Sequence, residues 1–195
     1  MSVTADYIAK YSQDMVDASY NTGLYPSVMM AQGILESNNG QSQLASLYNN
    51  HFGIKCQCKV CPCYLTGQNV SLPTTEEVNG QTQYITDSFR TYPTSFDGFV
   101  DRINFLKNNP RYANAGVFSA NTTQQQTQAL LNAGYATESD YADQLNSLID
   151  KYNLTSLDSM QPNSLRFTTQ TWIIVAVGGI AASLSIYLYF KYLKK

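Results

Sequence analysis

Glu36 closes a run with helical spacing, AQGILE (31–36), and faces SNNGQS (37–42), a loop built almost wholly of hydrogen-bonding side chains. A carboxyl backed by Ile34 and Leu35 has the apolar wall that raises a pKa. Such a group can hand a proton to a leaving oxygen, the step that opens glycosidic-bond cleavage, usually with help from a second carboxylate. A second concentration of reactive groups follows in CQCKVCPC, with Cys56, Cys58, Cys61 and Cys63 inside one short stretch. If Lys59-Val60 is a two-residue turn, Cys58 opposes Cys61 and Cys56 opposes Cys63. Strand alternation then sets all four sulfurs on one face, which permits nested disulfides or a four-thiolate zinc site. Pro62 limits strand pairing there, and either device would be structural rather than catalytic. His51, the single histidine, has no partners for a histidine metal site or a triad, so local packing is the expected role.

Elements to position these groups are legible on both sides. Val3, Tyr7, Ile8, Tyr11, Met15 and Val16 recur at helical steps over residues 3–20, and Pro26-Ser27 open a second helix through Val28, Met29, Met30, Ile34 and Leu35. A short helix is expected near Ser42–Tyr48. The pattern then changes to β-like pieces: FGIKC, NVSL, and QTQYITDSFRTY after the Asn79-Gly80 turn signal. Helices return over Ser95–Lys107, Gln124–Asn132 and Ser139–Tyr152, and DSMQPNSLRFTTQ (158–170) reads as a polar linker. The expected class is α+β, a mostly helical domain with a small β-hairpin lobe.

Charge is unevenly spread. Residues 1–160 hold 8 basic and 14 acidic residues, a net −6, whereas residues 161–195 hold 4 basic and none acidic. An acidic body argues against nucleic acid as a partner, because phosphate binding needs a cationic face. Thr171–Phe190, TWIIVAVGGIAASLSIYLYF, is an uncharged run of 20 residues, enough as a helix for about 30 Å of hydrocarbon. Trp172 lies at one end, Tyr187, Tyr189 and Tyr192 at the other, and Lys191, Lys194 and Lys195 follow. A single transmembrane helix is expected, with its C-terminus on the cytoplasmic-equivalent side and the N-terminal domain outside. Met1-Ser2-Val3 runs straight into the first helical pattern without a basic, apolar and small-residue leader. The expected organisation is a domain over 1–157, a linker over 158–170, a transmembrane helix over 171–190 and a basic tail over 191–195.

Several separated motifs occur together in one order: AQGILESNNGQSQLA, NNHFGIK, TTEEVNG, FRTYPTSFDGFVDRINFL, NNPRY and AGYATESDYADQLNSLIDKYNL. In this the chain resembles glycoside hydrolase family 73, the peptidoglycan-cleaving N-acetylglucosaminidases that include the muralytic domain of flagellar rod-cap proteins. The resemblance implies a lysozyme-like fold with Glu36 as general acid and Glu76 as second carboxylate. Glu77, where an aromatic residue often stands in the family, competes for the second role. Asp101, Tyr135 and Tyr141 match substrate-binding positions. No cofactor is implied for catalysis; a structural zinc or disulfides at the four cysteines lie outside the family pattern. The expected reaction is hydrolysis of the β-1,4 bond between N-acetylglucosamine and N-acetylmuramic acid, by an inverting route or with participation of the substrate's N-acetyl group. The expected partners are glycan strands and a lipid bilayer, in the membrane of a membrane-containing bacteriophage virion or a bacterial inner membrane. The alternatives are a lytic transglycosylase or muramidase of the same fold, and a non-catalytic wall-binding or virion structural protein.

Overall fold

Residues 26–36, PSVMMAQGILE, carry apolar side chains around almost the whole helical circumference, and a helix of that kind is stable only when wrapped on all sides. In the computed structural model this segment, α2 (Pro26–Glu36), is indeed the central helix, with Ser27 through Ile34 all buried. The structure describes residues 2–56, 69–78 and 81–163. Around α2 pack α1 (Val3–Ser19), α6 (Thr123–Asn132), α7 (Tyr141–Lys151) and a 3-10 helix (Leu154–Ser159). Alongside α1 lies α4 (Ser95–Asn108), and two short helices, α3 (Gln43–Tyr48) and α5 (Pro110–Asn114), complete the helical part. Met15, Val28, Met29, Phe99, Leu130 and Leu145 form the inner core.

Local chemistry sets the ends. Pro26 occupies the first turn of α2, where its missing N–H costs nothing. Thr94 and Asp97 form a reciprocal capping box at the start of α4, and Ser2, Ser42 and Thr122 cap α1, α3 and α6 through their hydroxyls. Gly33 brings α1 and α2 close: a Cβ there would sit 2.6 Å from the Tyr7 hydroxyl. The 3-10 helix returns to the start of α2, where Asp158 accepts from the Ser27 N–H at 2.9 Å and its hydroxyl at 2.8 Å. A carboxylate at a helix N-terminus also complements the helix dipole.

The β lobe is a two-stranded antiparallel hairpin, β1 (Asn69–Val78) and β2 (Gln81–Arg90), in register from Asn69 opposite Arg90 to Val78 opposite Gln81. That register leaves Asn79-Gly80 between the strands, as the turn signal predicts, and that pair lies outside the described residues. The FGIKC piece contributes one bridge, Lys55 opposite Phe89, flanked by Cys56 N–H to Ser88 O at 2.7 Å and Arg90 N–H to Ile54 O at 3.0 Å. The expected α+β class with a small hairpin lobe is therefore observed. Met1–Gln161 forms one compact unit and Pro162–Lys195 a second. Among the described residues no helix is long and apolar enough to cross a membrane, and the expected span over 171–190 lies outside them.

Candidate active site

The helix stops at Glu36, where the Ser37 side chain and the Asn39 N–H take over the carbonyls of Gly33 and Ile34. Buried Ser37 donates its hydroxyl to the Gly33 carbonyl and accepts from the Gly40 N–H at 2.7 Å. Asn38, Asn39 and Gly40 then run in the left-handed region (φ 50°, 57° and 76°), which asparagine and glycine tolerate best. Glu36 is thereby left at the mouth of the fold.

Its carboxyl is flanked by two cavities. One, of about 440 Å³, is lined by Leu35, Tyr135, Thr137, Glu138, Tyr141 and Gln144. The other, of about 210 Å³, is lined by Phe52, Lys55, Phe105, Arg111, Tyr112 and Tyr135, and Glu36 belongs to both. Glu36 as a residue is exposed to the cleft, yet the protein around its carboxyl raises its pKa above the ordinary value through desolvation. A hydrogen bond from Tyr141 and the charge of Arg102 oppose that rise, while Glu138 adds to it. An acid that lines two open cavities, with its protonated form favoured by desolvation of the carboxyl, suits proton donation to a bridging oxygen.

Tyr141 OH donates to Glu36 Oε1 at 2.8 Å and in turn accepts from Gln32 Nε2 at 2.7 Å. Arg102 Nη2 donates to Gln32 Oε1, and its guanidinium lies 5.2 Å from the Phe52 ring centre. Tyr135 stacks on Tyr141 with ring centres 5.7 Å apart. It is delivered by the end of α6, where Tyr135 N–H bonds the Leu130 carbonyl at 3.0 Å, Gly134 N–H bonds Leu131 at 2.8 Å, and Gly134 takes φ +70°. Burial pushes both tyrosine hydroxyls far above the usual phenol range, so they remain protonated donors.

Of the residues expected at the site, the structure brings Glu36, Tyr135 and Tyr141 together. Asp101 lies elsewhere, fully buried, where its Oδ2 accepts from Arg90 Nη1 at 2.7 Å and Tyr92 OH at 2.6 Å. It fastens α4 to the end of β2 and lines neither cavity. Glu76 and Glu77 sit on β1 opposite Gln83 and Thr82. From the Lys55–Phe89 bridge to Gln83 the strand runs six residues, or about 20 Å, so Glu76 rides well out along the hairpin. Cys56 is disulfide-bonded; Cys58, Cys61 and Cys63 lie outside the described residues. Among the described residues no group of three or more His, Cys, Asp or Glu could hold a metal ion. His51 is packed, as expected: Nδ1 meets Tyr7 OH at 3.0 Å, Nε2 meets Ser95 Oγ at 3.1 Å, and Phe99 lies edge-on.

Gln32 and Arg102 are the residues that sequence reasoning passes over. Gln32 stands one turn before Glu36, on the same helical face. Arg102 shares the inward face of α4 with Phe99, Ile103 and Leu106, and a charge on an otherwise apolar stripe was the available signal.

A helical body around a central helix, a side hairpin and a desolvated acid in a cleft define a lysozyme-like α+β domain. Residues 12–154 match the glucosaminidase family, described as mannosyl-glycoprotein endo-beta-N-acetylglucosaminidase, and the chain belongs to that family. Among its relatives is a probable N-acetylmuramidase of Lactococcus lactis subsp. cremoris (strain MG1363), 40% identical over 162 residues that cover 80% of this chain and 35% of the relative. Another is the peptidoglycan hydrolase FlgJ of Salmonella typhimurium, 34% identical over 155 residues covering 77% of this chain and 47% of the relative. The catalytic domain of the autolysin Auto from Listeria monocytogenes matches with a TM-score of 0.70 at 33% identity, covering 81% of this chain and 89% of that domain. The chain spans about a third of the length of the first curated relatives it matches.

Proposed function

We propose that this domain hydrolyses peptidoglycan at the β-1,4 bond between N-acetylglucosamine and N-acetylmuramic acid, with Glu36 as general acid. The observation that carries the reading is the placement of the Glu36 carboxyl between two open cavities, desolvated and held by the Tyr141 hydroxyl. Glycan occupies the two cavities, and sugar CH groups pack on the aromatic ring of Tyr135. Glu36 protonates the bridging oxygen, and a water attacks the anomeric carbon from the opposite face. Glu76 on the hairpin is the base for that water, as an inverting route requires. No cofactor takes part. A bilayer-spanning segment over 171–190 holds the domain at a membrane, with the domain on the non-cytoplasmic side.

Purified protein and its Glu36→Gln variant, incubated with peptidoglycan, test the reading. The native protein clears the suspension and liberates N-acetylglucosamine at new reducing ends; the variant loses activity by about 10²-fold or more. Equal clearance by both would end the enzyme reading. The name of the Lactococcus lactis relative favours a second reading, cleavage on the muramic acid side. New reducing ends of N-acetylmuramic acid would select it instead.

A further inference from the structure

Arginine offers only hydrogen-bond donors, and this fixes the direction of every bond above Arg102. Because Arg102 Nη2 donates to the Gln32 side chain, the amide oxygen must face Arg102 and its NH₂ must face the other way. The NH₂ meets Tyr141 OH at 2.7 Å, so the phenol oxygen is the acceptor there. The phenol's own hydrogen is left for Glu36 Oε1, 2.8 Å away. All three intermediaries are sealed from solvent: Arg102 is 1% exposed, Gln32 0% and Tyr141 3%. Among the described residues Arg102 makes no ion pair with an acid; burial lowers its pKa, and the neighbouring Tyr135, Tyr141 and Glu36 oppose that fall.

We propose that Arg102 and Gln32 are positioning residues, forming with Tyr141 a one-way donor chain that reserves Glu36 Oε1 as an acceptor and places the transferable proton on Oε2. The proposal deepens the hydrolase reading and rests on it for the role of Glu36. In low dielectric each donor in such a chain strengthens the next. The chain also restrains the acid: burial favours the protonated form, and a donor on Oε1 backed by a cation favours the carboxylate, so Glu36 can both release its proton and recover it. The other titratable or charged groups facing this carboxyl are Tyr135 and Glu138 on one side and Lys55, Arg111 and Tyr112 on the other.

Gln32→Glu is the discriminating variant. It is nearly isosteric and pairs directly with Arg102, so the fold has a partner for both groups. It also removes the NH₂ donor and turns the Tyr141 hydroxyl toward position 32, leaving Glu36 Oε1 without a donor and with a new negative charge nearby. Carboxyl-carbon NMR on protein labelled at glutamate, assigned with Glu36→Gln, is expected to show the Glu36 midpoint raised by one pH unit or more. The high-pH limb of kcat should move upward with it, the plateau kcat fall about tenfold, and KM stay within twofold. If Gln32→Glu does not fold, Gln32→Met carries the test, with a smaller rise in the same direction because Tyr141 loses only its backing donor. A folded variant of either kind with the native midpoint overturns the chain. The NMR titration needs no turnover, so it stands apart from the parent reading: full activity in Glu36→Gln sinks the enzyme, and an unmoved midpoint sinks the chain.

Discussion

Burial pushes the pKa of Glu36 up and that of His51 down to about 4, because in each case the charged form is the one that loses its water. For the acid this makes protonation easier in the cleft. For the imidazole it enforces neutrality, among Tyr7, Tyr11 and Phe99 rings and with Lys10 adding repulsion. The stability consequence has a definite sign. The unfolded chain binds the imidazole proton near pH 6.5 and the folded chain only near pH 4, so between these values the unfolded state holds more protons. Stability from this residue is complete above about pH 6.5 and drains away as the pH falls toward 4, by roughly 3 kcal/mol at most. Thermal unfolding of the native protein and of His51→Gln across pH 4.5–7 should show a shallower acid-side fall in Tm for the variant. Parallel curves would mean that His51 titrates no differently folded and unfolded.

At the scale of elements, several motif residues hold segments together. The NNHFGIK stretch wraps the root of the hairpin. Asn49 donates to the carbonyls of Tyr92 at 2.9 Å and Pro93 at 3.2 Å. Asn50 is fully enclosed, bonding Ile54 on both sides of its amide and the Arg90 carbonyl at 2.9 Å. Gly98 of α4 packs so tightly on this stretch that a Cβ would lie 2.5 Å from the Asn49 carbonyl oxygen. Asp101 completes the joint from the α4 side, so its substitution should act on folding rather than on substrate affinity. Removing one partner of a buried ion pair typically costs about 3–5 kcal/mol, and Asp101→Ala should lower Tm accordingly while KM, measured where the variant is folded, stays near native. A raised KM with an unchanged Tm would return Asp101 to the substrate. Sequence pattern alone does not separate these cases, because an acid on a helix reads the same whether it meets sugar or an arginine from a strand; only the partner distinguishes them. Helix positions were legible because Pro26 is a start signal and the apolar spacing is strong. The helix α5 was not, since PRYAN has five residues and no apolar period of its own. The 3-10 helix was hidden for a similar reason: it draws its order from Ser27, more than a hundred residues away in sequence.

At the scale of the whole molecule, what remains is where the cleft can work. Asp158 and the 3-10 helix hold the chain against α2, and the first compact unit ends at Gln161. If residues 171–190 are embedded in a bilayer, residues 162–170 are all that separates the enzyme from it, and nine residues reach at most about 32 Å when extended. A hydrolase on so short a leash would reach only the glycan nearest that membrane. The length and lack of charge of this run, with Lys191, Lys194 and Lys195 beyond it, set the expectation for fractionation. The full chain should pellet with membranes, resist extraction by high salt and carbonate, and be released by detergent. A chain ending at residue 163 should remain in the supernatant and digest isolated peptidoglycan at the same rate, because the site lies wholly within the first unit. Release of the full chain by salt alone would show that surface charge, not insertion, holds it there. A slow truncated chain would show that the tail contributes to the cleft itself.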